Sequence, residues 1–298
     1  MKLATTTGDF FHFGLNVEES IDAVTEAGFK YIDYSFTYDF RTKTGLLGEN
    51  PKAFAEKLLK MADASGFKFV QSHSPLGRPL AEGSEDFIEA TKQSIETASW
   101  LGIPNIVVHS GYLKGLSKKE TFKRNKKFYE ELLKTAEKCN INILTENFDK
   151  MTDNGCYWVD CAEDLKELVE YINHPLLKAC WDIGHGNMQE LPQHKALALL
   201  GSHVAALHIQ GNFGLSDDHV MPFTGTVNMD SVMNGLLDIG FNGYFTFEAD
   251  GMLNTWRRRK YEKDTRLAIY PVEFAKRFEN IKYDMGKYVL EQYNCFEE

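Results

Sequence analysis

Residues 177–187 read LKACWDIGHGN. An apolar run stops at Asp182, and His185 follows three residues later between Gly184 and Gly186. The run has the length of a buried strand, and the glycines mark the turn that leaves it. A carboxylate and an imidazole therefore stand where a buried segment surfaces. The same grammar recurs in both directions. Short β-type runs cover 2–7, 30–35 (KYIDYS), 68–73 (KFVQSH), 105–109 (NIVVH), 141–147 (INILTEN), 177–182, 204–210 (VAALHIQ) and 244–249 (YFTFEA). Helix-period segments separate them at 17–27, 51–65, 85–101, 119–139, 162–173, 192–200 and 229–239, with one or two more helices filling 262–295. Gly28, Gly66, Gly102, Gly201 and Gly240 sit where helices end. Strand–helix alternation repeated eight times predicts one α/β domain over 1–298, a (β/α)8 TIM barrel with extra C-terminal helices. The rival, an open doubly wound sheet, would show a Gly-rich first turn, and TTTGDFFHFG (5–14) is not G-x-G-x-x-G.

The bulk numbers agree with a single large core. The chain has 298 residues, 43% of them hydrophobic, and a formal net charge of −10. That charge speaks against nucleic acid as a partner, which calls for a basic footprint. No apolar run reaches the roughly 18 residues of a membrane span, and the N-terminus lacks the apolar stretch of a secretory signal. The five cysteines are scattered with no C-x-x-C. A cytoplasmic protein is the expectation, with Cys180 as plain core. A homo-oligomer is compatible with all of this.

In a barrel of this kind the C-terminal strand ends form the active face. Strand 3 ends at His73, strand 4 at His109, strand 5 at Glu146 and strand 6 at Asp182, with His185 on the next turn. Strand 7 carries His208, and Gln210 shares its face by period-two alternation; strand 8 carries Glu248, opposite in sense to Phe247, which should face the helices. Of the nine histidines, only His174, His194 and His203 fall on helices or at the opposite end; His12 belongs to the first loop of the active face. A single histidine at a strand end is ordinarily a satisfied core residue. Several imidazoles and three carboxylates in one barrel mouth are unstable unless paired or metal-bound. Glu146, Asp182, His208 and Glu248 offer three oxygen donors and one nitrogen donor. They fit one divalent metal ion (Mn, Zn, Co or Mg) in an open site.

SHSP, VVHSG, LTENF, WDIGHGN, LHIQGN, DDHVMPFTGTVNM and FTFEADG together resemble the xylose isomerase-like TIM barrel superfamily over nearly the whole chain. The resemblance implies a single divalent ion held by Glu146, Asp182, His208 and Glu248, with Glu146 and Glu248 as the acid/base pair and His185 helping to hold the substrate. Ketose 3-epimerases of this group usually carry a substrate-binding arginine after strand 7. Here that loop, GNFGLSDDHVMPFTGT (211–226), has none, and it looks more like the sugar phosphate isomerase/epimerase branch. Endonuclease IV, a DNA-repair phosphodiesterase on the same barrel, holds three zinc ions. Its nine ligands find matches at His73, His109, Glu146, Asp182, His185, His208, Asp217, His219 and Glu248, but ENFDK, DIGHG and PFTGT replace its glycine-rich motifs. A keto-inositol dehydratase and a non-catalytic sugar- or metal-binding module are further alternatives.

The reaction expected is proton transfer beside a carbonyl of a small carbohydrate, isomerising or epimerising it through an enediolate. His185, His109, His73 and Gln210 would orient hydroxyls, and Tyr34, Phe36, Phe148 and Trp256 are candidates for an apolar wall. Asp217 and His219 share one face of an extended segment, so His219 should point into the mouth, near the substrate or a second metal. WRRRK (256–260) follows strand 8, where such barrels often bind phosphate, which makes Arg257, Arg258 and Arg259 candidate anion contacts.

Overall fold

The computed structural model describes residues 1–149, 159–253 and 270–298. Eight strands form one all-parallel sheet: β1 (Lys2–Thr6), β2 (Tyr31–Ser35), β3 (Lys68–His73), β4 (Asn105–Val107), β5 (Asn142–Glu146), β6 (Leu177–Asp182), β7 (Val204–His208) and β8 (Tyr244–Phe247). Each strand pairs with its sequence neighbour, and β1 also pairs with β8. The ring closes between β7 and β8 through an Ile209–Phe247 bridge, with Ile209 N–H donating to Thr246 at 2.8 Å and Glu248 N–H to Ile209 at 3.1 Å. The architecture is the expected TIM barrel.

Between the strands run α1 (Val17–Glu26), α2 (Phe36–Thr42), α3 (Pro51–Ser65), α4 (Glu85–Trp100), α5 (Lys118–Cys139), α6 (Ala162–Ile172), α7 (Ile183–Asn187), α8 (Gln193–Leu200) and α9 (Met229–Asp238). A C-terminal helix spans Val272–Gln292. Asn16 caps α1 through a reciprocal capping box with Glu19, and Asp182 caps α7 by accepting from His185 N–H. Alternation then sorts the strands. Ile32, Tyr34, Phe69, Ile106, Ile143, Trp181, Leu207 and Phe247 join the apolar layer under the helices. Val107, Leu144, Cys180 and Ala206 form a smaller cluster. Phe247 packs outward as expected. The C-terminal helix approaches so closely that a Cβ at Gly286 would lie 2.7 Å from both Leu3 and Phe247. No described helix is long and apolar enough to cross a membrane.

Three short elements differ from the sequence expectation. A 3-10 helix covers Thr7–Phe13, α2 follows β2 directly, and the segment after Asp182 is a short helix rather than a turn. The fourth, seventh and eighth strands stop earlier than the apolar runs, so His109, Gln210 and Glu248 lie just past their strands.

Candidate metal and active site

Glu146, Asp182, His208 and Glu248 meet at the C-terminal mouth, with one ligand atom from each lying within 4.8 Å of all the others. Strand geometry does this: Glu146, Asp182 and His208 are the last residues of β5, β6 and β7, and the register aligns Asp182 with His208. His208 Nδ1 is 2.8 Å from Glu146 Oε1 and 3.2 Å from Glu248 Oε2. Asp182 is locked to its neighbour strand, since its N–H donates to Asn147 Oδ1 at 2.8 Å and its C=O accepts from Asn147 Nδ2 at 2.9 Å. Gly184 leaves room for the arrangement, because a Cβ there would fall 2.2 Å from the Gln210 amide.

Two further groups flank the first. His73 and His109 point Nε2 at Glu146 Oε2, at 3.6 and 3.5 Å, and their Nε2 atoms are 3.0 Å apart. His73 Nδ1 faces the Ser74 carbonyl at 2.7 Å, so the neutral ring would carry its proton there and offer Nε2 as the donor atom. On the other side His185 Nε2 lies 3.3 Å from Asp217 Oδ1, and His219 Nε2 lies 3.0 Å from Asp217 Oδ2. His219 adopts φ 49, and its Nδ1 is 2.8 Å from the Glu248 carbonyl, so it turns into the mouth as expected. His73–His109–Glu146 and His185–Asp217–His219 each satisfy the spacing for shared coordination.

The electrostatics are those of a cation site. Burial opposes ionisation of Glu146, but the adjoining His208 imidazole holds its carboxyl well below the usual range. Burial pushes Asp182 up to about 6. Against the same penalty, Asp182 and Asp217 raise His185 to about 10, and burial lowers His109 to about 3. Glu146 Oε2 and Asp182 Oδ2 are buried with no hydrogen-bond partner. Orphaned carboxylate oxygens aimed at a shared point fit a divalent ion, which would replace the protons now holding the cluster together. Cys180 Sγ is also within reach of Glu146 and His208, and burial pushes its thiol up to about 12.

Above these groups opens a cleft of about 310 Å³ lined by His73, His219, Glu248, His12 and Asp250, among others. Phe148 packs beside the histidines, its ring 4.9 Å from His109 and 4.8 Å from His185. Tyr34 and Phe36 do not form a wall. Both are fully buried under the helices, and Tyr34 OH donates to Asp39 at 2.7 Å. Parity on β2 turns Tyr34 outward while Asp33 turns in, and Phe36 opens α2 with its ring 4.8 Å from that of Tyr34. Gln210 is equally withdrawn: it is buried and donates to Asp217 at 2.8 Å, so it orients that carboxylate instead of facing the cleft. Trp256, Arg257, Arg258 and Arg259 lie outside the described residues.

Asp33 and Gln71 were missed by the sequence reading. Gln71 Nε2 donates to Asp33 Oδ2 at 2.7 Å and sits 3.0 Å from His208 Nε2, which is 3.5 Å from Asp33 Oδ2. A carboxylate between Ile32 and Tyr34 in an apolar strand was the available signal.

The chain is 27% identical over 182 residues to an uncharacterized protein of Methanocaldococcus jannaschii, covering 59% of this chain and 61% of that one. It is 23% identical over 188 residues to the D-psicose 3-epimerase of Ruminiclostridium cellulolyticum, covering 60% of this chain and 59% of that one. The chain thus spans about three fifths of the length of these relatives. Among solved structures, a D-tagatose 3-epimerase-like protein superposes with a TM-score of 0.75 at 20% identity, over 99% of this chain and 98% of the other. Homologues and structural neighbours thus include sugar 3-epimerases. Residues 21–268 match the family model described as xylose isomerase-like TIM barrel, and with the closed eight-strand barrel this shows that the chain belongs to that family.

Proposed function

We propose that the protein is a divalent-metal-dependent isomerase or epimerase of a small carbohydrate. The observation that carries this reading is the Glu146–Asp182–His208–Glu248 group, in which two glutamates from different strands share one ion site at the foot of an open cleft. The ion, when bound, supplies Lewis acidity for the negative charge that develops on a substrate oxygen. The side chains do the rest. Glu248, 28% exposed at the cleft edge, takes the proton from the carbon beside the carbonyl. For isomerisation Glu248 returns that proton to the adjacent carbon; for epimerisation Glu146, 1% exposed, relays a second, solvent-derived proton to the opposite face, and Glu248 then releases its own to solvent. Phe148 excludes water from one side, and His185 holds a hydroxyl. Incubating the Mn2+-loaded protein in D2O with a panel of ketoses, their phosphates and keto-inositols tests the scheme. Deuterium should enter the carbon beside the carbonyl, and no incorporation from any member would overturn it.

A second reading has its own support. Together with Asp182, His208 and Glu248 of the central group, the two flanking groups, His73–His109–Glu146 and His185–Asp217–His219, bring nine potential donors, the pattern of a multi-zinc phosphodiesterase. The net charge of −10 opposes a grip on duplex DNA. Metal analysis after dialysis separates the two: one tightly held ion per chain favours the isomerase, and three ions together with hydrolysis of a DNA phosphodiester favour the nuclease.

A further inference from the structure

Among the described residues, the cleft above the proposed ion site carries one arginine and no lysine. Its ionisable lining comprises Asp9, Glu248, Asp250, three histidines and Arg41. The carboxylates on the far side are already matched: Asp9 pairs with buried Lys282, and Asp250 lies 3.2 Å from His12 Nε2. Arg41 is the single lysine or arginine among the lining residues. It is exposed, and no ion pair or hydrogen bond with a described residue occupies its guanidinium. Its neighbour Lys43 is turned elsewhere, with Nζ 4.2 Å from the centre of the Phe40 ring.

Arg41 is also held in place. Two residues earlier on the same short helix, Asp39 accepts from Tyr34 OH at 2.7 Å and from Leu46 N–H at 2.8 Å. On flanking positions Tyr38 packs on Phe11 at 4.6 Å and Phe40 on Phe87 at 6.4 Å. A clamped helix presenting a free guanidinium to a cleft is a preorganised fork for an oxyanion. Arg41 lies in the last turn of α2, where a cation also favours the helix carbonyls. That role needs no opening into the cleft and would be served equally by an arginine facing bulk water.

The geometry points to Arg41 as the recognition site for an anionic end of the substrate, a phosphate or carboxylate, whose sugar portion reaches toward Glu146 and Glu248. The inference rests on the isomerase reading for the sugar portion alone. A terminal anion held at Arg41 stays apart from the mouth carboxylates, and a neutral sugar leaves the guanidinium unused. An arginine–oxyanion contact at a partly exposed site is expected to give about a tenfold to hundredfold preference.

The test is calorimetric titration of the Mn2+-loaded protein with D-fructose, D-ribulose, their terminal phosphates and D-fructuronate, repeated on Arg41→Ala and Arg41→Lys. The quantity read is the affinity ratio between an anionic ligand and its neutral skeleton, which a general loss of folding does not move. The parent should prefer the phosphate or the carboxylate by about tenfold or more, and which of the two it prefers assigns the anion. The ratio should fall to within about twofold in Arg41→Ala and recover partly in Arg41→Lys. A parent that binds no anion more tightly than its neutral skeleton, or a ratio unchanged in Arg41→Ala, overturns the proposal. Deuterium exchange into neutral ketoses alongside that result leaves the isomerase reading standing. A retained anion preference with no exchange into any ketose overturns the isomerase reading and leaves Arg41 in place.

Discussion

His208 presents two nitrogens to two different tasks. Nδ1 lies 2.8 Å from Glu146 Oε1, to which its proton can be donated, and Nε2 lies 3.0 Å from Gln71 Nε2. To ligate a metal, Nδ1 must give up that proton, and the proton belongs on Nε2, which faces Asp33 Oδ2 at 3.5 Å. With an ion bound, Asp33 would serve as the outer carboxylate that fixes the ligating tautomer. Asp33→Asn is expected to weaken metal binding by about 10- to 100-fold, read by competition with a chelator; equal affinity would show that Gln71 alone orients the ring. The glutamates behave differently. Glu146→Gln and Glu248→Gln each keep one oxygen donor and lose the base. Metal binding should weaken moderately, while solvent deuterium exchange falls on the order of 10²–10⁴. A metal-loaded variant exchanging at the parental rate would move the acid/base role to His185. The four proposed ligands and His219 were legible because each closes or follows an apolar run. Asp33 and Gln71 were not, because a mid-strand polar residue looks the same whether it faces the barrel axis or a helix. Only pairing with β3 showed which parity points inward: Asp33 aligns with Gln71 and Ser35 with His73.

Among the elements, the long amphipathic helices were readable and the short ones were not. FTYDFRT (36–42) is rich in aromatic and β-branched residues that form helices poorly, and IGHGN (183–187) contains two glycines. Tertiary contacts make these helices. For α2 the contact is Asp39, fully buried, accepting from Tyr34 OH and Leu46 N–H on one oxygen while the other has no partner. Burial, opposed by those two hydrogen bonds, raises its carboxyl from 3.8 to about 7. Folding therefore favours the protonated form. The stability this group contributes is complete below pH 3.8 and is lost as pH rises through about 7. One pKa unit corresponds to about 1.4 kcal/mol, so the full loss amounts to a few kcal/mol. Asp39→Asn removes the titration while keeping an acceptor for both donors. Urea unfolding of parent and variant at pH 5 and pH 8 should show the variant gaining on the parent by about 2 kcal/mol or more at the higher pH. A parent–variant difference that is the same at both values would mean that Asp39 ionises in the fold without penalty.

Across the whole molecule, the barrel is finished by its C-terminal helix, and the link between them is ionic. Lys282 is buried, pairs with Asp9 at the mouth of β1, and lies 2.6 Å from Glu279 one turn away. Thr5 on β1 completes the group by donating to Glu279 at 2.8 Å. Burial drives the Asp9 carboxyl well above its ordinary range, while Lys282 is held charged against the same penalty by Asp9 and Glu279. The sequence foretold a helix here but not this bond. Helical periodicity marks a lysine among apolar positions only as a residue of unusual burial, and its partner Asp9 lies 273 residues earlier in the chain. Removing one member of such a group leaves the others buried without compensation, which costs more than the group as a whole contributes. Lys282→Met should therefore destabilise the protein by about 3–5 kcal/mol in denaturant unfolding. Replacing all three charges, with Asp9→Asn, Lys282→Met and Glu279→Gln together, should recover most of that loss. Asp9 also lines the cleft, so the single variant should blunt deuterium exchange where the triple variant restores it. If Lys282→Met proves harmless to stability, the carboxylates have taken up protons without cost, and the C-terminal helix is held by the apolar seam of Gly286 against Leu3 and Phe247 instead.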